Sequence, residues 1–185
     1  MKNVIILASA ATAACLASAP AFAESLTVQG VVAPYCNVAL SNVSSGTASI
    51  AMANQQTVAN LRLSCNSASG TKLIVGSTNG DLTQVVGGVT QRINYDLILD
   101  SPSDSAFAIA AHDTFPGSGQ ENVNQFTRSR TGYTQGIANG IPLVLSLNMN
   151  VAADTNNTAT SQNFSANAAP AGTYTETFTF TATSV

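Results

Sequence analysis

His112 stands beside Asp113, and Gly117-Ser118-Gly119 follows a few residues later, so a base, an orienting acid and a nucleophile lie close along the chain. A nucleophile elbow needs Gly-x-Ser-x-Gly on a strand-to-helix turn, and this stretch has neither the spacing nor a helix. His112 is therefore not expected to be catalytic. The nine acids are scattered, and no pair recurs at a spacing that would place two carboxylates across a scissile bond; Asp96 and Asp100 read as solvent-face residues flanking one strand. Gly76, Gly80, Gly87 and Gly88 lack the Gly-Lys-Ser/Thr and the helix N-terminus of a phosphate loop and read as turn glycines. His112 is the single histidine, and the Asp and Asn residues of the 100–125 stretch have no EF-hand spacing. Asn156-Asn157-Thr158 and Asn163-Phe164-Ser165 match the glycosylation sequon, a pattern short enough to arise by chance. No catalytic residue, metal site or cofactor is expected, and the chain is not expected to be an enzyme.

The remaining chemistry is in the cysteines, and its reading depends on the compartment. Lys2 precedes an apolar and small-residue run from Val4 to Ala19, then Pro20-Ala21-Phe22-Ala23 before the first acid, Glu24. This is the pattern of a secretory signal peptide over 1–23, cut after the Ala21-x-Ala23 motif; an uncleaved anchor is the alternative. Cys15 would leave with the peptide, since Thr12-Ala13-Ala14 lacks the aliphatic residue of a lipobox. In an oxidising compartment Cys36 and Cys65 read as one disulfide, with two free buried thiols as the alternative. By chain entropy the bridge would add about 3 to 4 kcal/mol.

The 24–185 segment has the length of one domain. It offers no run of about eighteen apolar residues for a membrane helix, and its mildly acidic balance lacks the basic face that nucleic acid requires.

The elements that position these residues have the period of strands. Leu26, Val28, Gly30 and Val32 alternate with Thr27, Gln29 and Val31, and the pattern runs on into Cys36, Val38 and Leu40. Over Thr57 to Cys65, Leu61, Leu63 and Cys65 share a face opposite Arg62 and Ser64. Leu73 and Val75 continue beyond the Asn66–Gly70 turn, and Ser77-Thr78-Asn79-Gly80 closes that strand. Val85 to Val89, interrupted by Gly87-Gly88, reads as a broken strand or hairpin, and Ile93, Tyr95, Leu97 and Leu99 as one clean strand. The 100–140 stretch is expected to be mostly loop, with Phe107 and Ile109 in a short strand and Phe126 as a core anchor. Ile141 to Val151 alternates again, 154–171 is a second polar loop, and Tyr174, Phe178, Phe180 and Ala182 share one face of a final strand whose other face is threonine. No segment shows three turns of helical periodicity. An all-β, antiparallel sandwich or barrel follows.

These landmarks together resemble the pilin subunits of chaperone-usher systems, of the archaic type grouped with spore coat protein U. The resemblance is carried by Leu26-Thr-Val-Gln-Gly-Val-Val32 running into Cys36-Asn-Val38, by Leu61-Arg-Leu-Ser-Cys65 and Gly70-Thr-Lys-Leu-Ile-Val75, by Ile93-Asn-Tyr-Asp-Leu-Ile-Leu99, and by the ending Ala171-Gly-Thr-Tyr-Thr-Glu-Thr-Phe-Thr-Phe-Thr-Ala182. It implies an incomplete immunoglobulin-like β-sandwich that lacks its last strand. A donor segment over 24–33, with Leu26, Val28, Gly30 and Val32 as its groove-filling residues, would enter a neighbouring subunit. Tyr174, Phe178, Phe180 and Ala182 would line the acceptor groove and meet a periplasmic chaperone. An outer-membrane usher would complete the pathway, with a route through the periplasm to a surface pilus or biofilm matrix. The alternative is a monomeric secreted carbohydrate-binding or adhesin module, with Tyr133 and Phe115 stacking on sugar; the absence of Trp weakens it.

Overall fold

The computed structural model describes residues 29–41, 54–113, 125–155 and 157–185. The signal-peptide segment, Leu26 and Val28, Phe115, Gly117-Ser118-Gly119 and Asn156 lie outside the described residues. The chain divides into two compact units, Met1–Val32 and Ala33–Val185. Of the first, Gln29 to Val32 are described and form exposed, irregular backbone.

The second unit is all-β. Its strands are β1 (Cys36–Leu40), β2 (Gln56–Cys65), β3 (Gly70–Ser77), β4 (Leu82–Val86), β5 (Val89–Ile93), β6 (Asp96–Asp100), β7 (Ile109–Asp113), β8 (Gln125–Thr131), β9 (Ile141–Asn148), β10 (Ser161–Phe164) and β11 (Phe178–Ser184). They form a five-stranded sheet in the order β1-β2-β9-β6-β7, a three-stranded sheet β11-β3-β8, and a second three-stranded sheet of shorter strands, β10-β5-β4.

Alternation sets which side chains enter the core. Val38 lies opposite Leu63 and Leu40 opposite Leu61; Leu61 in turn faces Leu143, and Leu145 faces Leu99. In the second sheet Phe180 faces Val75 and Ala182 faces Leu73, with Phe126 beside Val75 on the far side. These rows meet in one apolar cluster in which Leu63, Leu73, Val75, Leu97 and Leu143 are fully buried. A register shift between Thr57 and Ala59 in β2 adds one residue, so the consecutive Val58 and Ala59 are both buried, as a bulge allows.

Cys36 and Cys65 are directly opposed across β1 and β2 and form the disulfide. Just beyond it, Asn66 extends the clasp. Its Oδ1 accepts from Tyr35 N at 2.6 Å, its own N–H donates to Tyr35 O at 3.0 Å, and its Nδ2 donates to Ala33 O at 3.1 Å.

Several local expectations differ from the structure. The run from Ile93 to Leu99 keeps its buried face but is not one strand. It leaves the β4–β5 sheet after Ile93 and enters the five-stranded sheet at Asp96; between them the Asn94 N–H still reaches Phe164 O of β10 at 3.4 Å, while its side chain donates to Ala152 O at 2.9 Å. The Val85–Val89 stretch is a hairpin, with Gly87 and Gly88 both at positive φ (60° and 82°), the conformation of a two-residue turn. Gly76 is not a turn residue but lies within β3 opposite Thr179.

The 100–140 stretch also contains β8, whose Gln-Phe-Thr-Arg-Ser-Arg-Thr sequence shows one apolar residue and acquires its strand form by pairing along β3. A five-residue helix, α1 (Gln135–Asn139), buries Ile137, and Phe107 sits in a 3-10 turn rather than a strand. The 154–171 loop holds β10, which pairs with β5 in parallel. This is the one departure from antiparallel pairing among the described strands.

Gly70 shows how tightly β3 and β8 are joined. Its φ is +123°, and a Cβ there would lie 2.2 Å from Arg130 O. Gly70→Ala is expected to cost about 2 kcal/mol or more through strain and clash, read as a lower urea midpoint. Cys36→Ser with Cys65→Ser is expected to cost about 3 to 4 kcal/mol in the same measurement.

Candidate functional site

A strand at the rim of a sheet leaves one row of N–H and C=O groups without a strand partner, and proteins manage such rims with charge, covering segments or closure. The two larger sheets have rims on two sides. On one side β7 and β8 are rim strands, and arginines bind β8 to the segment leading into β7. Arg128 Nε donates to Ala108 O at 3.0 Å, and Arg130 Nη1 donates to both carboxylate oxygens of Asp104 at 2.8 Å.

The other side is built from β1 and β11. Each is a terminal strand, and their Cα atoms approach within 8 Å. Among the described residues no hydrogen bond joins them. The lining is apolar: Cys36 and Val38 from β1, and Phe178, Phe180 and Ala182 from β11, are partly buried against the core, while Leu40 is 45% exposed.

The direction of the strands follows from their ends. Ser184 pairs with Thr71 and Val185 N donates to Gly70 O, close to the Cys65 end of β2. The C-terminal end of β11 thus lies at the Cys36 end of β1, and the two strands run in opposite directions along a shared seam.

Of the expected acceptor residues, Phe178, Phe180 and Ala182 lie together on the inner face of β11, and the ring of Phe178 meets Tyr95 edge-on with centroids 5.9 Å apart. Tyr174 does not join them, which corrects the expectation of a strand beginning there. The chain from Tyr174 to Thr177 is diverted. Thr175 bridges to Thr83 of β4, and the Tyr174 hydroxyl donates to Pro170 O at 3.1 Å, with Gln91 Oε1 of β5 3.3 Å away. Of the expected donor residues, Gly30 and Val32 are exposed, Val32 at 82%. Leu26 and Val28 fall outside the described residues.

Glu176 is the residue that sequence reasoning missed. Its carboxylate accepts from Thr78 N at 2.9 Å, from Asn79 N at 3.0 and 3.1 Å, and from Thr177 N at 2.6 Å. It thereby caps the turn after β3 and sets where β11 begins. The available signal was its isolation, as the one acid among the threonines and aromatics of the final segment. Burial raises its pKa and outweighs the backbone hydrogen bonds that lower it.

The other candidates that are described lie apart in the fold. His112 contributes backbone to β7 opposite Leu97. Tyr133 is exposed at 56%, and its suggested companion Phe115 is outside the described residues. Asn163 of the second sequon is buried at 7% exposure, so an oligosaccharide could not be attached to it in the folded chain. Among the described residues, no three His, Cys, Asp or Glu side chains converge to hold a metal ion, and no helix is long and apolar enough to cross a membrane.

No protein-family model, curated protein or solved structure matches the chain.

Because Glu176 has a raised pKa in the folded state, folding binds its proton more tightly than the unfolded chain does. Its contribution is fullest below the ordinary carboxylate value and declines as pH rises through the raised one. Glu176→Gln is expected to flatten this part of the stability profile, measured as urea midpoints across pH 4 to 8. Glu176→Ala, which strips the turn of its acceptor, is expected to cost about 1 to 3 kcal/mol.

Proposed function

We propose that the chain is a structural subunit that assembles by strand addition at the β1–β11 seam. The observation that carries this reading is the contrast between the two sides of the sandwich. Arginines tie one side, whereas the other brings two rim strands together over apolar side chains without hydrogen bonds between them.

Strand addition would supply main-chain partners to a rim, and apolar residues at alternate positions would occupy the lining. Covering a valine or leucine fully is worth about 1.5 to 3 kcal/mol, so a segment with several such residues has the energy to be held. The Leu26, Val28, Gly30, Val32 segment has this alternation, and its described part is exposed. A segment at one end of a molecule that enters a seam elsewhere on its neighbour makes a head-to-tail contact that does not close on itself, and a filament results.

Export by a signal peptide, protection of the seam by a periplasmic chaperone, passage through an outer-membrane usher, and a place in a surface pilus or biofilm matrix complete the proposal. They rest on the resemblance of the sequence to archaic chaperone-usher pilins. No catalytic step is part of it.

The test is expression of the 24–185 chain in a periplasm with no partner chaperone, followed by size-exclusion chromatography and electron microscopy. Polymer or aggregate is the expected result; a well-behaved monomer would contradict the proposal. Removing residues 24–30 is expected to abolish polymer while leaving the seam able to take a strand, and filaments that persist would show that the donor lies elsewhere. Leu40→Asp, at a half-exposed rim position, is expected to suppress assembly while shifting the unfolding midpoint little.

A further inference from the structure

Where β1 and β11 come together, the seam is too narrow to receive a strand as it stands. Paired strands are about 4.8 Å apart, so two strands flanking a third stand about 9.6 Å apart; β1 and β11 approach within 8 Å. Resting on the strand-addition reading, we propose that the seam is shut in the isolated chain and that β1 is its movable wall, opening at the Leu40 end while the Cys36 end stays fixed.

The two walls are anchored unequally. All seven residues of β11 are in register with β3, from Phe178 opposite Ser77 to Ser184 opposite Thr71. The Glu176 carboxylate secures the segment just before it on the turn at Thr78 and Asn79, and Val185 N donates to Gly70 O beyond it. Moving β11 would break that ladder and separate Phe178 from Tyr95. β1 likewise pairs with one neighbour, β2, but over five residues rather than seven.

The anchoring of β1 is itself lopsided. At its start are the disulfide, the Asn66 clasp on Ala33 and Tyr35, and the Tyr35 hydroxyl donating to Ala138 O at 2.8 Å. At its end, among the described residues, Ser41 reaches a single acceptor, Asn60 O, through its N–H at 2.8 Å and its hydroxyl at 3.0 Å. Leu40 there is nearly half exposed. Among the described residues, opening from that end would sacrifice few contacts, and an entering strand would restore main-chain partners on β11.

A second covalent tie at the Leu40 end tests this. Leu40 and Leu61 are opposed across β1 and β2, four residues along the ladder from the Cys36–Cys65 pair and in the same alternation. Leu40→Cys with Leu61→Cys would therefore staple β1 shut. The probe is a fluorescent peptide of residues 24–33, and the readout is its capture rate by the chain without residues 24–30, which is expected to keep a seam able to take a strand and not to polymerise.

The stapled protein is expected to capture peptide at least about tenfold more slowly, because the open state becomes rare, with each single variant near the wild-type rate. Capture by the stapled protein at the wild-type rate would overturn the moving wall and leave strand addition intact. Single variants as slow as the stapled one would also overturn it, by tracing the effect to packing. Absence of capture by every form, wild type included, would defeat the strand-addition reading itself. Should Leu61→Cys prevent folding, hydrogen exchange of the wild type decides. Faster exchange of the β1 amides at 38–41 than of the β11 amides before peptide is added supports the inference, and the reverse order overturns it.

Discussion

A strand that forms the rim of a sheet has hydrogen-bonding groups that the sheet does not use, and the architecture of this protein is organised around where its chain leaves such rims. Two sheets share an apolar core, and their rims meet on two sides. On the side of β7 and β8, long arginine side chains cross from one strand to the segment leading into the other, and their charges also discourage pairing with another chain. On the side of β1 and β11, apolar residues meet across a seam, with packing alone between the strands.

The stability of that seam depends on elements outside it. The disulfide and Asn66 keep the start of β1 against β2, although five residues of pairing would be a weak hold by themselves. Glu176 performs a comparable task for β11 by gathering three backbone N–H groups, at the energetic cost of placing a carboxylate where burial disfavours its charge. The smaller β10-β5-β4 sheet contributes through Thr83, whose bridge to Thr175 guides the chain towards β11. Both walls are thus positioned from their ends, and they differ in length, five paired residues in β1 against seven in β11.

The alternating segments were legible because a strand with one face in a core must place apolar residues at every second position. Leu61, Leu63 and Cys65 of β2, Leu73 and Val75 of β3, and the Ile141–Leu147 row of β9 could all be assigned to the core from that rule. The disulfide was legible from an even pair of cysteines behind an apparent export signal. The short rim strands β8 and β10 were not legible, since each carries one aromatic residue among polar ones and is a strand only because a neighbour offers it a ladder. The division of the Ile93–Leu99 run was hidden for the opposite reason: its alternation continues through a change of sheet, and periodicity records the face of a residue, not its partner.

The sequence by itself determined the all-β class, the inward faces of the long strands, the bridge between Cys36 and Cys65, and the apolar row of Phe178, Phe180 and Ala182. Local spacing and residue type suffice for these. Only the tertiary structure decided that β1 and β11 meet, that Tyr174 turns away to β5, that Glu176 holds the entrance to the last strand, and that arginines tie one side of the sandwich but not the other. Each of these depends on residues tens of positions apart arriving at one place, and chain periodicity contains no measure of that distance.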